Sequence, residues 1–287
     1  MEEFTIRRNI HALTSREAVT FAHNRGIGRF GDHTLHLNDC VEIYVFIEGD
    51  VHYVIEDEYF VLNRGDILVI PPRAIHVPVI KSECEYERFY FLFPKESLLD
   101  YLSSPLDLLA MKEKGPGLRL ALDEVQRREA LSILYRMSEI CRSGSGEWDS
   151  LMLHALSLEF LCLLCANDGV AAVSEARMHP SRPLPELIKN ILTYISTSAP
   201  DITGAADIAE KFHISAPYLS AVFKQYVGVT VNTYLRAKKI AVAKELLREG
   251  NSVSYACYAS GFSDSSYFIK VFKACTGVTP KKYKDEN

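Results

Sequence analysis

The chain has 287 residues, enough for two domains, because a single hydrophobic core rarely grows much beyond about 250 residues. Its 48% hydrophobic and 24% charged residues are typical of globular proteins and exclude a disordered or fibrous chain. Residues 187–287 hold 13 Lys and Arg against 8 Asp and Glu, a net of +5, which leaves 19 against 29, a net of -10, for residues 1–186. This division favours two domains with different partners, since phosphate binding needs local positive charge.

Residues 1–93 are predicted to form short strands separated by turns. Residues 41–47 are β-branched and aromatic, and Gly49 in the following turn supports a strand that ends there. Further strands are expected at residues 51–55, 59–62, 67–70 and 86–93. Short strands at regular spacing predict a barrel or a sandwich.

From Pro94 onward the hydrophobic period becomes helical. Helices are predicted at residues 95–113, 121–142 and 147–166. The third is apolar over much of its surface, so it must be buried either in its own domain or against a second subunit. Residues 168–186 contain three prolines and are predicted to be a linker.

The C-terminal residues repeat one pattern twice: a short helix, a tight turn and a longer helix. Ser215 and Ser263 are expected to be the N-caps of the two longer helices. Gly228 and Gly277 are suitable C-terminal stops. Two such copies are much harder to obtain by chance than one, and they predict two helix-turn-helix units.

The two longer helices should each have a buried and an exposed face. Leu219, Val222 and Phe223 form an apolar stripe in the first helix, as do Phe268, Val271 and Phe272 in the second. The opposite faces are small, polar or basic, which suits entry into the major groove of DNA. The candidate DNA-binding residues on these faces are Ala216, Pro217, Ser220, Ala221, Lys224, Ser265, Ser266, Ile269, Lys270 and Lys273.

One helix is predicted between the units, over residues 231–248. Its 18 residues would span about 27 Å at about 1.5 Å per residue. The longer helix of each unit is here called its recognition helix. With the packed units added at the ends of the connecting helix, the two recognition helices would lie about 34 Å apart, which is one turn of B-DNA. One chain could then occupy two successive major grooves.

Residues 187–285 closely resemble the AraC/XylS family of bacterial regulators. The resemblance is strongest at residues 261–273 and 277–283. It implies activation or repression of promoters under the control of a small molecule sensed by the N-terminal domain, with RNA polymerase as a possible partner. The chain departs from the family pattern at four places: Ala205 stands in place of Leu, Lys239 in place of Arg, Ala221 in place of a longer polar residue that faces DNA, and Ala256-Cys257 in place of Ile-Ala before Gly261.

Residues 20–93 are similar to the cupin-like sensor barrels of such regulators. His36, Glu42 and Gly49 match the first cupin motif, and Gly65, Pro71 and His76 resemble the second. Asn38 stands where a metal cupin has its second histidine, and Arg73 replaces a glycine. We therefore expect no metal and no cofactor, although His36, Glu42 and His76 form a set that could hold a divalent ion. The candidate effector-binding residues are His33, His36, Glu42, Tyr44, Tyr53, Arg73 and His76.

The expected architecture is multi-domain, β then α. It consists of a cupin-like barrel (residues 1–93), a helical segment for dimerisation or interdomain contact (94–167), a linker (168–186) and an all-α DNA-binding domain (187–287). The expected function is transcription regulation, without enzymatic activity, by a homodimer that binds double-stranded promoter DNA and a small organic effector. The alternative is a metal-dependent cupin enzyme with a helical appendage.

The chain is expected to be cytoplasmic and to need no membrane. Its N-terminus lacks the basic start and apolar run of a signal peptide. Its seven cysteines show no paired spacing that would indicate a disulfide framework. The most apolar stretch, residues 151–166, is interrupted by His154 and Glu159 and is shorter than a typical membrane span.

Overall fold

The structure, a computed structural model, describes residues 3–11, 18–29, 35–94, 117–120, 122–143, 146–165 and 184–286. The helix predicted at residues 95–113, most of the predicted linker and the candidate residue His33 lie outside these ranges.

The N-terminal part is built from antiparallel strands. They are β1 (Phe4–His11), β2 (Ala18–Gly28), β3 (Val41–Glu48), β4 (Val51–Ile55), β5 (Glu58–Val61), β6 (Ile67–Ile70), β7 (His76–Ile80), β8 (Cys84–Phe93) and β9 (Leu118–Leu120). One sheet has the order β1-β2-β8-β3-β6-β9, and the other has the order β5-β4-β7. The five strands predicted at residues 41–93 are confirmed to within two residues at each end.

The two sheets face each other and bury an interior rich in aromatic side chains. Period-2 alternation decides which residues point inward. Tyr44 and Phe46 of β3 and Tyr86 of β8 pack in this interior with Tyr53 of β4. His36 and His76 form an isolated β-bridge beside it. The N-terminal β-rich fold predicted from the sequence is confirmed, and the described strands form two facing sheets rather than one continuous ladder.

Two helices, α1 (Glu124–Ser143) and α2 (Glu147–Cys165), cover the outer face of the larger sheet. Phe91 of β8 stacks on Phe160 of α2 with ring centroids 5.2 Å apart. Residues 148–165 of α2 are long and apolar enough to cross a membrane, contrary to the length argument from the sequence, which began at Leu151. A core helix of a water-soluble domain passes the same test, and the buried Leu156, Phe160 and Leu164 pack on the sheet.

A buried polar network fixes α1 on the larger sheet. His23 of β2 lies 2.8 Å from Ser138 Oγ of α1 through Nδ1 and 2.9 Å from Glu87 Oε1 of β8 through Nε2. Tyr135 of α1 donates to the same carboxylate oxygen at 2.8 Å. Because every member has a partner, the network orients the helix without leaving a buried polar group unsatisfied.

The C-terminal part is helical. Its helices are α3 (Glu186–Ser198), α4 (Ala205–Lys211), α5 (Ala216–Val227), α6 (Val231–Arg248), α7 (Val253–Ala259), α8 (Ser265–Thr276) and α9 (Pro280–Glu286), and a 3-10 turn (Ala199–Asp201) follows α3. The helix predicted at residues 231–248 is confirmed as α6, with Thr230 as its N-cap. The domain boundaries proposed from the sequence stay predictions, and α3 begins one residue before the predicted boundary at 187.

The helical part packs on the smaller sheet. Val77 and Val79 of β7 and Val54 of β4 point away from the interior and join one buried cluster with Ile191 of α3 and Phe223 of α5. The chain is therefore layered as α1 and α2, larger sheet, smaller sheet, and C-terminal helices. Apolar burial, not only the connecting segment, holds the two parts together.

Candidate functional site

The first helix-turn-helix unit is formed by α4 and α5. Ser215 caps α5 and accepts a hydrogen bond from the amide of Tyr218 at 3.3 Å, as the sequence predicts. Gly228 ends the helix with a left-handed φ of 81°. His213 takes the left-handed position in the turn, with a φ of 53°.

The second unit is formed by α7 and α8, and its N-cap differs from the prediction. Asp264, not Ser263, caps α8 and accepts from the amide of Tyr267 at 2.5 Å. The left-handed residue of this turn is Gly261, and the cap follows it by three residues, whereas Ser215 follows His213 by two. The second turn is one residue longer, so the N-cap moves from Ser263 to the equally favourable Asp264.

Lys239 of α6, one of the departures from the family pattern, stabilises this second turn. Its Nζ donates to the carbonyl of Gly261 at 2.8 Å and lies 6.0 Å from the centre of the Phe262 ring. The side chain is buried, and burial lowers its pKa. A lysine can thus make the interhelical contact at this position.

Both recognition helices bury one face and expose the other. Leu219 and Phe223 of α5 are fully buried, and so are Phe268 and Phe272 of α8. All ten candidate DNA-binding residues are exposed: Ala216, Pro217, Ser220, Ala221, Lys224, Ser265, Ser266, Ile269, Lys270 and Lys273. These faces remain exposed although the helical part is packed on the smaller sheet.

Sequence reasoning missed four exposed tyrosines in these units. Tyr218 of α5, Tyr267 of α8 and Tyr255 and Tyr258 of α7 are each about half exposed, between 49% and 58%. An apolar periodicity search assigns a tyrosine to the core. The signal that could have placed them outside is their position one or two residues away from the apolar stripe.

In the N-terminal part, the structure brings His36, Glu42 and His76 together. Glu42 accepts from His76 Nε2 at 3.1 Å and from the amide nitrogen of Asn38 at 2.8 Å. Burial alone favours the neutral imidazole, but the charge and hydrogen bond of Glu42 raise the pKa of His76. The ring of His36 stacks on that of His76 with their centroids 5.4 Å apart. Burial and the positive charge of His76 lower the pKa of His36 to about 4.

Hydrogen bonds hold His76 and Glu42 in place in this arrangement. His76 Nδ1 lies 2.9 Å from the carbonyl oxygen of Ala74, and Nε2 faces the Glu42 carboxylate. Both partners are acceptors, so His76 can donate to both of them when it is protonated, the form that Glu42 favours. Asn38, which replaces a metal-binding histidine, uses its amide to hold Glu42 instead.

The remaining effector candidates divide between two places. Tyr44 and Tyr53 lie in the interior with their rings 4.7 Å apart. Arg73 does not join them, because its guanidinium forms an ion pair with Glu245 of α6. Arg73 lies where the cupin motif has a glycine and has a left-handed φ of 69°.

Three inward residues of β8 were also missed: Tyr86, Arg88 and Tyr90. Strand alternation gives them the inward face, while Phe89 and Phe91 point to α1 and α2. The hydroxyl oxygens of Tyr86 and Tyr44 lie 2.8 Å apart and share a hydrogen bond in which either hydroxyl can donate. The alternation of side-chain types along residues 84–93 could have indicated from the sequence that these three residues share one face of the strand.

Charged residues connect the N-terminal part of the chain (described residues 3–165, here called the sensor part) to α6. Asp39, which follows the His36 bridge, pairs with Lys244 at 2.6 Å and with Arg248. The side chain of Lys244 is only 2% exposed, so the lysine of this ion pair is almost completely removed from water. A second pair joins Glu56 to Lys238, and the hydroxyl of Tyr234 donates to the carbonyl of Glu56 at 3.2 Å.

Comparison with known proteins identifies both parts. Residues 28–161 match the family described as an AraC-like ligand binding domain, and residues 208–286 match a helix-turn-helix domain. The arabinose operon regulatory protein of Salmonella typhimurium is 28% identical over 79% of this chain and 77% of its own length. The HTH-type transcriptional regulator YfiF of Bacillus subtilis is 24% identical over 98% of this chain and 88% of its own.

Among solved structures, ToxT of Vibrio cholerae aligns with 92% of this chain and 98% of its own, at 14% identity and a TM-score of 0.38. The two family matches together cover β3 to β9, α1, most of α2 and, from residue 208 onward, the helix-turn-helix units. The chain belongs to the AraC/XylS family, as a transcription regulator with an N-terminal ligand-binding domain and a C-terminal DNA-binding domain.

Proposed function

We propose that this regulator binds promoter DNA by placing α5 and α8 in two successive major grooves. The observation that carries the proposal is the exposure of both recognition faces on helices whose opposite faces are fully buried. The net charge of +5 in residues 187–287, from 13 basic and 8 acidic residues, supports contact with phosphates. The separation of about 34 Å stays a prediction.

The two recognition helices are proposed to contribute unequally. Ala216, Pro217, Ser220 and Ala221 of α5 have side chains too short for bidentate base contacts, so α5 would contribute shape, methyl contacts and single hydrogen bonds. On α8, Lys270 can reach guanine acceptors in the groove, with Ser265, Ser266 and Ile269 beside it. Lys224 and Lys273 lie nearer the helix ends and are proposed to contact phosphates.

Substitution of Lys270 tests this assignment. We expect Lys270→Ala to weaken binding of the full chain to its operator by about 1–3 kcal/mol, the usual contribution of one good base contact, with a smaller loss on scrambled DNA. Lys224→Ala and Lys273→Ala should weaken binding to both DNAs about equally. The measurement is a binding titration at matched salt.

Lys189→Ala is the matched control, because it removes the same charge from an exposed position on α3, which is not a recognition helix. It should leave operator binding almost unchanged. An equal loss on operator and scrambled DNA for Lys270→Ala would mean that this lysine touches only the backbone. No loss on either would mean that α8 does not enter the groove.

We further propose that a small organic effector binds between the two sheets and controls DNA binding, without catalysis. His36, Glu42, Tyr44, Tyr53 and His76 lie at or beside this interior, and Asn38, which holds Glu42 where a metal cupin has a histidine, disfavours the alternative of a metal-dependent cupin enzyme. An effector there would act on α6, because Asn38 holds Glu42 while the adjacent Asp39 holds Lys244. A regulator of this kind works in the cytoplasm, where it reaches promoter DNA and RNA polymerase.

A second copy of the chain is proposed as a partner through α2. Trp148 is 74% exposed, and Leu151 and Met152, one turn later, are 43% and 48% exposed. Large apolar side chains grouped on one helix face are typical of an interaction surface. The buried face of α2 accounts for only part of its apolar character, and the exposed face supports the proposed contact with a second subunit.

The dimer has a direct test in its mass. We expect the full chain at micromolar concentration to have the mass of a dimer, and Trp148→Asp to shift it toward the monomer because a charge would be buried in the contact. Ile27→Asp, an equal change at an exposed position of β2, is the control and should stay dimeric. A wild-type monomer, or an unchanged mass for Trp148→Asp, would contradict the α2 interface.

A further inference from the structure

A cavity of about 360 Å³ opens where β1, β2 and β8 meet, and one of its walls contains a cation. The inward positions 24, 26 and 28 of β2 are Asn24, Gly26 and Gly28, so two of the three have no side chain to fill the space. Tyr86 and Arg88 of β8 form the opposite side. The volume is within the range of small-molecule sites, about 300–1,000 Å³.

Arg88 is the charged group of this cavity that lacks an acidic partner in the described part of the chain. On the described strands and turns before α1, the arginines that form ion pairs are Arg25, Arg73 and Arg119. The Arg88 guanidinium instead lies 4.3 Å from the centre of the Tyr86 ring. Stacking on an aromatic face leaves the N–H groups at the edge of the guanidinium free to donate.

Glu3 and Glu42 form no ion pair with this arginine in the described part of the chain. Glu3 also lines the cavity, and its carboxylate accepts from the amide of Ile27 at 3.3 Å. Glu42 is already held by His76 and by the amide of Asn38. The other groups that interact electrostatically with Arg88 include the phenols of Tyr44, Tyr53, Tyr86 and Tyr90, which are uncharged at neutral pH. A half-buried cation without a counter-ion favours an anion at this place.

Asn24, opposite Arg88, adds no second ligand contact. It lines the cavity, but its side-chain oxygen is buried away from the space that a ligand would occupy. Arg88 is therefore the group of this cavity that can bind an oxyanion.

We propose that the effector is a small organic anion, a carboxylate or a phosphate ester, whose charged group is bound by Arg88. The inference rests on the proposed effector control and adds the chemical class. Arginine binds carboxylate and phosphate by two parallel hydrogen bonds, which makes the charged group the main determinant of affinity.

The test compares acids with their neutral counterparts on the full chain. The probes are D-gluconate against D-glucitol, and D-glucose 6-phosphate against D-glucose, at millimolar concentration, with L-arabinose added because a relative is named for the arabinose operon. Thermal unfolding and calorimetric titration report binding without DNA. We expect at least one acid to raise the Tm while its neutral counterpart does not, and the pair that responds separates carboxylate from phosphate.

Arg88→Gln should weaken binding of that acid by about 10- to 100-fold, the usual loss for a hydrogen bond to a charged group. Arg64→Gln, the same change at an exposed position of the sensor part, should bind as the wild type does. Without ligand, Arg88→Gln should unfold at a temperature as high as that of Arg64→Gln, because the native arginine has no acidic partner to lose. A lower value would indicate a structural role instead.

The proposal is overturned if no acid binds, if the neutral compounds bind as tightly as the acids, or if Arg88→Gln binds the acid as the wild type does. The broader function has a separate readout in operator binding. A neutral compound that changes operator binding while no acid does would contradict the anionic effector and leave effector control intact. Loss of all operator binding by a folded wild-type chain would contradict the proposed function itself.

Discussion

Gly261→Ala is expected to unfold much of the second helix-turn-helix unit and to abolish operator binding. Gly261 has a φ of 84°, and a Cβ added there would lie 2.1 Å from the carbonyl oxygen of Pro200 and 2.8 Å from two further backbone atoms of that residue. A left-handed L-residue costs about 1–2 kcal/mol, and overpacking adds about 1–3 kcal/mol or more. Because Pro200 must move as backbone, we expect a loss toward the upper end of about 2–5 kcal/mol.

Gly277→Ala separates the clash from the backbone strain. Gly277 has a similar φ of 79°, but a Cβ added there meets nothing within 4 Å. We expect it to cost only the left-handed penalty of about 1–2 kcal/mol and to keep operator binding. Denaturant unfolding of both variants of the full chain gives the comparison, and equal losses would show that the contact between Gly261 and Pro200 is not tight.

Asp39→Ala is expected to weaken the attachment of the sensor part to α6. It leaves the charge of Lys244, which is 2% exposed, without its partner. Breaking a fully buried pair costs about 3–5 kcal/mol. Because Asp39 is 36% exposed, we expect a smaller loss of about 2–3 kcal/mol in the free energy of unfolding, together with faster proteolysis between the two parts.

The pH dependence of this contact follows from Asp39. Burial alone would raise its pKa, but hydrogen bonds and charges from Lys244 and Arg248 lower it below the ordinary value. An acid whose pKa is lowered in the folded state contributes stability above its unfolded pKa and loses it as the pH falls through the folded pKa. The contribution of Asp39 should therefore be complete at neutral pH and disappear only in acid.

Two further variants decide whether the buried lysine causes the loss. Glu245→Gln removes a carboxylate from the same interface, but Glu245 is 51% exposed in its pair with Arg73, so it should cost less than about 1 kcal/mol. Adding Lys244→Met to Asp39→Ala should restore much of the stability, because the unpaired charge is gone. A double variant no more stable than Asp39→Ala alone would contradict this explanation.

The helix-turn-helix units were predictable because their signals are local. Ser215, Gly228 and Gly277 act where the sequence predicts, since caps and left-handed stops depend on a few neighbouring residues. The N-cap of α8 was missed because Ser263 and Asp264 are both good caps. The second turn also brings the backbone of Gly261 close to Pro200, a contact between residues distant in the sequence.

The sensor part was less predictable, because its strands depend on distant partners. β7 contains Pro78, which is tolerated because β7 is an edge strand of the smaller sheet. Proline has a low β-strand propensity, so this strand was not predicted from the sequence. β9 has three residues and exists through its pairing with β6. Arg73 was assigned to the effector site from its place in a motif, whereas its ion pair with Glu245 depends on how the two parts pack.

The central claim, that one chain occupies two successive major grooves, is tested most directly by hydroxyl-radical footprinting of the full-length protein on the DNA that flanks its gene. We predict two protected segments on one face of the duplex, with centres about 10–10.5 base pairs apart for each bound chain, and loss of one segment in Lys270→Ala. A single protected segment per chain, or equal protection of scrambled DNA at the same salt, would contradict the account.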